Sequence, residues 1–225
     1  MDTSTWRGGL ALVEQTTRDG APEVVAELGV QVRDSHAVHL TRWIESLLAL
    51  AGWSKSDLDA FVAVRGPGSF TGIRVGLGTV RGLAVATGKR CFGVNRLEAM
   101  AEAHGTANAP RLPLLSAGRG EFYGACYDAA SSPPRELCAP WLGALQERLS
   151  EAPESAILIA PAAQQHGTTL RRLAGARFEI TQARSMIAGA AGRLVLLGHA
   201  SGRPEDYPPA PLYLRPPDAE LKTRG

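Results

Sequence analysis

Apolar and polar positions near the start of the chain form two different patterns, which predict two kinds of element. The small apolar stretch 8–13 and the Val-rich stretch 23–32 predict two strands, joined through the turn residues Arg18-Asp19-Gly20. From residue 40 to residue 51, apolar residues instead recur at helical spacing. This helix is predicted to end at Gly52, and its apolar stripe contains Leu40, Trp43, Ile44, Leu47 and Leu48.

Short apolar runs then alternate with helical patterns as far as residue 104. The runs 60–64 and 91–94 predict buried strands, and the stretches 72–87 and 95–104 predict the helices that follow them. Strands that alternate with helices are typical of an α/β fold. We therefore expect a mixed sheet with helices packed on it.

The second half of the chain predicts a further set of strands and helices. The polar stretch 105–111 resembles a linker and indicates two lobes, at 1–104 and 105–225. In the second lobe, the patterns predict a strand pair at 112–116 and 121–128, helices at 142–149, 162–173 and 184–200, a strand at 156–159, and an extended proline-rich tail at 204–217.

Composition and charge exclude several classes of protein. The 24 basic and 22 acidic residues leave a net charge of +2, which is too balanced for nucleic-acid binding by charge alone. No run of about 18 apolar residues predicts a membrane span, and the first nine residues do not resemble a secretory signal. Three widely spaced cysteines predict neither a disulfide framework nor a zinc site. We expect a cytoplasmic protein.

The most informative motif is a glycine-rich loop between a predicted strand and a predicted helix. Backbone N–H groups at such a helix N-terminus can hold a phosphate or another anion, but a structural tight turn fits the same residues. The motif lacks the Gly-Lys-Ser/Thr of a Walker A loop and the spacing of a nucleophile elbow. The candidate anion-binding residues are Gly66, Gly68, Ser69, Thr71 and Gly72.

The helix after this loop contains glycines that allow another backbone to approach closely. Gly72, Gly76, Gly78 and Gly82 each lower helix stability by roughly 1 kcal/mol relative to alanine, so their presence needs a reason. The partner is either the sheet beneath the helix or a helix of another chain. His36 and His39 could share a helix face, but two histidines without a third ligand favour hydrogen bonding or solvation over a metal site.

Several segments, taken in order, resemble the bacterial TsaB (YeaZ) family, which takes part in making threonylcarbamoyladenosine in tRNA. The resemblance implies a two-lobed α/β fold of the actin-like, Hsp70-like ATPase (ribonuclease H-like) kind. It covers nearly the whole chain, and the segments that carry it are 2–5 (DTST), 66–74 (GPGSFTGIR), 82–84 (GLA), 93–94 (GV), 97–99 (LEA), 119–123 (RGEFY) and 211–215 (PLYLR).

The resemblance also implies a role as a partner without catalytic residues of its own. It implies a heterodimer with TsaD, the threonylcarbamoyl transferase, and a larger complex that includes the ATPase TsaE. It further implies, at most, indirect or weak contact with tRNA. Without the partner the docking face would stay apolar and exposed, so we expect a homodimer in isolation. No cofactor is firmly implied, and ATP or ADP at a subunit interface is left open. The helices that would dock on TsaD suggest an interface formed by Leu40, Trp43, Leu47, Gly72, Gly76 and Val80.

The stretch after the glycine-rich helix supports the non-catalytic role. Catalytic relatives carry Val-Asn-His-x-Glu-x-His there, and two histidines four residues apart can bind one metal. In this chain Arg96 and Met100 stand at the two histidine positions. A guanidinium is a permanent cation and a thioether is a poor ligand for a hard ion, so we expect no metal site.

Two departures from the family pattern affect what the resemblance implies. Family members have an apolar strand before Asp-Thr-Ser, whereas here Met1 directly precedes Asp2, so we expect a missing first strand to weaken folding or alter assembly. The Asp that often precedes Arg-Gly-Glu is also absent, since Ser116-Ala117-Gly118 stands before Arg119. The alternative function is a nucleotide-dependent phosphotransferase or ATPase of the same fold, in which Asp2 and the glycine loop would hold phosphates.

Overall fold

The computed structural model describes residues 1–31, 36–161, 167–175, 177–200 and 209–215. The chain divides into two compact units: Met1–Ala99 with Ser185–Leu212, and Met100–Arg184 with the residues from Tyr213 onward. The sequence-based division at residue 104 differs from this, because the segment after Ser185 belongs with unit 1 rather than with the second half. The helix at 188–200 in this segment packs on the first two strands of the chain, which is a long-range contact that composition does not reveal.

Unit 1 contains two two-stranded sheets and most of the predicted helices. Strand β1 (Arg7–Glu14) pairs antiparallel with β2 (Glu23–Gln31), and β3 (Ala60–Val64) pairs parallel with β4 (Arg90–Val94). The helices are α1 (His36–Ala51), α2 (Phe70–Thr87) and α3 (Arg96–Ala103), the last of which runs into unit 2. These elements confirm the predicted hairpin and the predicted alternation of strands and helices.

Unit 2 is built on one five-stranded sheet in the order β7-β6-β5-β8-β9. Its strands are β5 (Arg111–Gly118), β6 (Glu121–Asp128), β7 (Arg135–Ala144), β8 (Ile157–Ala160) and β9 (Glu179–Gln182). Helix α4 (Leu145–Glu151) follows β7, α5 (Gly167–Ala174) follows β8, and α6 (Ala188–Ala200) returns to unit 1.

The sequence analysis missed the two edge strands of this sheet. Residues 142–144 were predicted to be helical but lie in β7, whose Pro140 is tolerated because an edge strand leaves one side of its backbone unpaired. Strand β9 has four residues, too few for an alternating pattern to be recognised. The first residues of the predicted helix 162–173 and half of the predicted tail 204–217 lie outside the described residues.

The sheets of unit 1 carry helices on both faces. Leu10 and Leu12 of β1 pack against α1, and Phe61 and Ala63 of β3 pack against α2. The intervening residues of β1 point to the other face, where α6 lies: a Cβ built on Gly9 would be 3.5 Å from the Cβ of Ala188. None of the helices in the described parts of the chain is long and apolar enough to cross a membrane.

Met1 and Asp2 occupy the place of a strand between the two sheets. The Met1 ammonium donates to the carbonyl of Val62 over 2.6 Å, and the N–H of Val64 donates back to the carbonyl of Met1 over 2.9 Å. On the other side, Asp2 and Gly9 exchange two backbone hydrogen bonds of 2.8 Å. These two residues therefore connect β1 to β3 where the sequence analysis expected the missing strand.

Candidate functional site

The segment that begins at Asp2 packs directly on the glycine loop. The N–H of Ser69 donates to the carbonyl of Ser4 over 2.7 Å, and the hydroxyl of Thr3 donates to the carbonyl of Gly72 over 2.7 Å. A Cβ built on Gly72 would lie 2.0 Å from the carbonyl oxygen of Thr3, and one on Gly68 would lie 2.3 Å from that of Ser4. The loop glycines therefore allow two stretches of backbone to touch.

The four glycines of α2 fall into two groups with different surroundings. A Cβ on Gly76 would lie 2.4 Å from the Thr3 hydroxyl, so Gly76 continues the close contact made by Gly72. Gly78 and Gly82 have nothing within 4 Å of a Cβ and are exposed. The first pair thus serves packing inside unit 1, whereas the second pair leaves a shallow, open helix surface.

Asp2 lies at the centre of this cluster, with both carboxylate oxygens bound. Its Oδ1 accepts hydrogen bonds from the N–H of Ser4 at 2.9 Å and from the Ser4 hydroxyl at 2.5 Å. Its Oδ2 pairs with Nη1 of Arg96 at 2.9 Å, and the same Nη1 donates to the Ser4 hydroxyl. The side chains of Arg96 and Asp2 are 9% and 4% exposed, so the pair is shielded from water.

Arg96 is also anchored to the glycine loop through its backbone. As the first residue of α3, it donates its N–H to the carbonyl of Gly66 over 2.7 Å. The side chain of Asn95, just before it, accepts from the N–H of Leu97 over 2.9 Å and holds the start of the helix. Local backbone geometry thus aims the guanidinium of Arg96 at Asp2.

The chemistry of the cluster follows from this pairing. A carboxylate beside a helix N-terminus can hold a cation that in turn binds phosphate, but here the permanent cation of Arg96 holds Asp2. The loop N–H groups of Ser69 and Gly72 are bound within the chain, by the carbonyl of Ser4 and the hydroxyl of Ser69. The geometry supports the tight-turn alternative for the glycine loop, although Ser69 and Thr71 remain exposed.

Most of the predicted docking residues lie inside unit 1, so the predicted surface needs correction. Leu40 and Leu47 are 3% exposed and Val80 is fully buried. Gly72 and Gly76 are covered by Thr3. The helical stripe that the sequence analysis assigned to a partner instead packs on the unit's own strands.

Trp43 is the one predicted docking residue that stays half-buried. The ring of His39 stacks on it at 5.5 Å, and His36 meets it edge-on at 6.4 Å. His36 also makes a 2.7 Å hydrogen bond to the carbonyl of Thr5. This confirms the prediction that His36 is hydrogen-bonded. Within the described residues, no three His, Cys, Asp or Glu side chains are grouped as a metal site would require.

Other apolar side chains of α1 and α2 are exposed. Val38 is 70% exposed, Leu50 is 78% exposed, and Val85, three residues after Gly82, is 86% exposed. The sequence analysis missed them because each stands outside the dominant apolar stripe of its helix. Exposed apolar residues carry little information when they are isolated.

In unit 2, two of the family-like segments meet each other. Arg215 pairs with the carboxylate of Glu121 and donates to the carbonyl of Ala117 over 2.6 Å. The turn between Ala117 and Glu121 consists of Gly118, Arg119 and Gly120. All three residues have positive φ, which favours glycine at the two ends of the turn. The contact joins the RGE and PLYLR segments, and their separation of 94 positions hid it from the sequence analysis.

Comparisons with known proteins all lead to proteins of tRNA threonylcarbamoyladenosine modification. The family model described as "TsaD: tRNA N6-adenosine threonylcarbamoyltransferase" matches residues 29–183. The tRNA threonylcarbamoyladenosine biosynthesis protein TsaB of Bacillus subtilis is 28% identical over 155 residues, which are 66% of this chain and 65% of that protein. TsaB of Escherichia coli is 35% identical over 94 residues, which are 41% of each chain. The aligned segments thus span less than two thirds of these relatives.

A solved structure from Pseudomonas aeruginosa, described as an uncharacterized protein with similarity to peptidase YEAZ, shares the fold. It has a TM-score of 0.77 at 24% identity and covers 95% of this chain and 97% of that one. This likeness, together with the strands and helices described above, confirms the mixed α/β fold class that the sequence predicted.

Proposed function

Because the chain belongs to the TsaB (YeaZ) family, we propose that it acts in tRNA threonylcarbamoyladenosine biosynthesis as a non-catalytic partner of a TsaD-type transferase. In this proposal the chain binds and activates the transferase, which modifies the adenosine next to the anticodon. A TsaE-type ATPase joins a larger complex, and tRNA touches mainly the transferase. The chain works in the cytoplasm and forms a homodimer when the transferase is absent.

The observation that carries the non-catalytic role is the buried ion pair of Asp2 and Arg96. The family resemblance implies a metal-binding histidine at the position of Arg96 in catalytic relatives. Here that position is a guanidinium whose Nη1 lies 2.9 Å from Oδ2 of Asp2. Opening this pair for a metal ion or a phosphate would leave a charged group desolvated, which costs several kcal/mol. The cluster is therefore suited to holding α3 and the glycine loop in place.

The partner role rests on the exposed sides of α1 and α2. Gly78 and Gly82 are one helical turn apart with open space above them, so a helix of the transferase can approach the α2 backbone closely. Val85 and Leu50 supply exposed apolar area, which would be buried in an interface of about 1,200–2,000 Å². We propose this exposed surface as the docking interface in place of the interface residues predicted from the sequence, which include Leu40 and Gly76.

The test is co-expression with the TsaD-type transferase of the same organism. Co-elution on size-exclusion chromatography, together with tRNA threonylcarbamoylation that requires both chains, would support the proposal. Activity of the transferase alone, unchanged by this chain, would overturn it.

Gly82→Phe tests the docking surface without disturbing the core. A Cβ at Gly82 meets no atom within 4 Å, and replacing glycine inside a helix favours the helix, so the variant should fold. We expect it to lose co-elution with the transferase. Gln146→Phe, at an exposed position of α4 in unit 2, is the matched control and should still co-elute. Gly76→Phe is unsuitable because it would strike the hydroxyl of Thr3.

The phosphotransferase alternative has a separate test. Titration calorimetry of the isolated chain with ATP and magnesium would show micromolar binding if Asp2 and the glycine loop held phosphates. We expect no binding to the isolated chain, because Arg96 already pairs with Asp2. A nucleotide site completed by the transferase would appear only in the complex.

A further inference from the structure

Two of the three cysteines face each other across neighbouring strands of unit 2. Cys126 of β6 and Cys138 of β7 are direct partners in an antiparallel ladder. Directly opposed residues in such a ladder have Cα atoms about 4.5–5.5 Å apart and point their side chains to the same face of the sheet. A disulfide needs a Cα separation of about 4.4–6.8 Å. The backbone therefore places the two thiols where a disulfide can join them.

The two thiols differ in their access to solvent, which gives them separate roles. Cys138 is exposed, so a small molecule in solution can reach its sulfur. Cys126 is only 4% exposed. Burial, and after it the negative charge of Cys138, raises the pKa of the Cys126 thiol to about 11, which indicates that the two sulfurs lie close together. Cys138 is therefore placed to react first, and Cys126 to react with Cys138.

The ladder between β6 and β7 is interrupted around this pair. The register shifts between Gly124 and Cys126 and again between Cys126 and Tyr127, so an irregularity flanks the pair on each side. Strand β7 lies at the edge of the sheet, and its Pro140 has no N–H to donate. Residues 135–139 of this strand are exposed. A covalent link here would fasten an edge strand where its backbone pairing is least regular.

We propose that Cys126 and Cys138 form a reversible disulfide by exchange with a small-molecule disulfide such as oxidised glutathione, and that this link clamps β7 to β6. The Cys138 thiolate attacks one sulfur of the small disulfide, which forms a mixed disulfide and releases one small thiolate. Cys126 then loses its proton and attacks the Cys138 sulfur, which displaces the second small thiolate. Two protein thiols are thereby oxidised to one disulfide, and the small disulfide is reduced to two thiols that take up the two protons.

Proximity compensates for the low thiolate fraction of Cys126. The second step takes place within one molecule, where well-oriented groups react at effective concentrations that reach about 10⁵–10⁸ M. Closure can therefore follow the first step although almost all of Cys126 is protonated. The inference rests on unit 2 alone and does not depend on the proposed partner.

The first experiment treats the folded full chain with oxidised glutathione, blocks the remaining thiols and maps all three cysteines by mass spectrometry. We expect a peptide that links Cys126 to Cys138. Cys91 is the internal control, because it is buried opposite Phe61 and should stay reduced. Glutathione retained on Cys138 with Cys126 still free would overturn the proposal, and so would a link that forms only between two chains.

Two single-cysteine variants test the order of the two steps. In Cys126→Ala, the reaction should stop at a mixed disulfide between Cys138 and glutathione. Cys138→Ser changes an exposed side chain and should fold as the unsubstituted chain does. In that variant Cys126 should react with oxidised glutathione at least about tenfold more slowly than Cys138 does in the unsubstituted chain. Equal rates at the two positions would overturn the assigned order.

Thermal unfolding tests whether the link clamps the edge strand. Oxidised and reduced samples of the same chain are compared, so any effect of a substitution on folding cancels. The link closes the short loop 126–138 and should raise Tm by roughly 4–10 °C, and dithiothreitol should reverse this rise. The same treatment should leave the Tm of Cys138→Ser unchanged. A linked chain with the Tm of the reduced chain would overturn the clamp.

Discussion

Asp2 and Arg96 form a buried ion pair across 94 positions of sequence, with Oδ2 and Nη1 2.9 Å apart. Ser4 completes the pair by donating to the other carboxylate oxygen. The backbone of Arg96 is bonded to Gly66 and that of Ser4 to Ser69, so the pair ties the start of the chain to both the glycine loop and α3. This one contact organises the whole candidate site.

Breaking the ion pair from one side should destabilise the protein strongly. Arg96→Met leaves the Asp2 carboxylate buried without its cation, and the loss should be about 3–5 kcal/mol in the free energy of unfolding. Urea denaturation followed by tryptophan fluorescence measures this value. A loss below about 1 kcal/mol would contradict the burial of the pair.

The double variant Asp2→Asn/Arg96→Met is the control for that prediction. It removes both charges together, so it should be markedly more stable than Arg96→Met alone, and the double-mutant cycle gives the coupling energy of the pair. Additive losses would mean that the two side chains act independently.

Two glycine-to-alanine substitutions in α2 should have opposite effects. Gly72→Ala places a methyl group against the backbone carbonyl of Thr3 and should cost about 1–3 kcal/mol or more, because backbone cannot move aside easily. Gly78→Ala meets no neighbour and should stabilise the protein by up to about 1 kcal/mol through helix propensity. Thermal unfolding of the two variants measures both shifts, and a stabilised Gly72→Ala would refute the close contact.

Stability should rise with pH between about 6 and 8. Desolvation lowers the pKa of the Met1 ammonium from 8.0 to about 6. The negative charges of Asp2 and Glu27 raise this pKa, but by less than desolvation lowers it. In that window the unfolded chain binds more protons than the folded chain, so raising the pH favours folding, by up to about 2–3 kcal/mol. Urea denaturation at a series of pH values measures the slope.

N-terminal acetylation is the control for the pH effect. It removes the ammonium, so the rise between pH 6 and 8 should largely disappear. Burial and the charges of Arg111 and Arg184 lower the pKa of His104, so its contribution to folding stability is lost as pH falls below about 6.5. This pH dependence should remain after acetylation. An unchanged slope in the acetylated chain would assign the effect to other groups.

The cysteines of β6 and β7 should differ sharply in reactivity. Cys126 and Cys138 lie opposite each other, but only Cys138 is exposed. Burial, with the neighbouring Cys138, raises the pKa of the Cys126 thiol to about 11, so almost no thiolate forms at pH 7.5. Mass spectrometry after iodoacetamide treatment should show Cys138 modified at least about tenfold faster. Equal rates in the folded protein would contradict this, whereas equal rates in urea are expected.

Sequence patterns predicted the elements of unit 1 well because those elements are locally encoded. The stripe from Leu40 to Leu48 shows one apolar face of α1, and the run Ala60–Val64 shows a buried strand. The edge strand β7 was mispredicted because its sequence lacks a clean alternation and contains Pro140. The sequence also did not show which side of α1 is exposed, and only the structure shows that Leu47 faces the core while Leu50 faces solvent.

The sequence by itself determined the fold class, the family resemblance and the glycine loop, because periodicity and short motifs depend on residues close together in the chain. Only the tertiary structure decided that Arg96 neutralises Asp2, and that Gly72 and Gly76 serve internal packing while Gly78 and Gly82 stay open. These facts depend on segments that lie far apart in the chain and meet only when buried apolar surface and backbone hydrogen bonds bring them together.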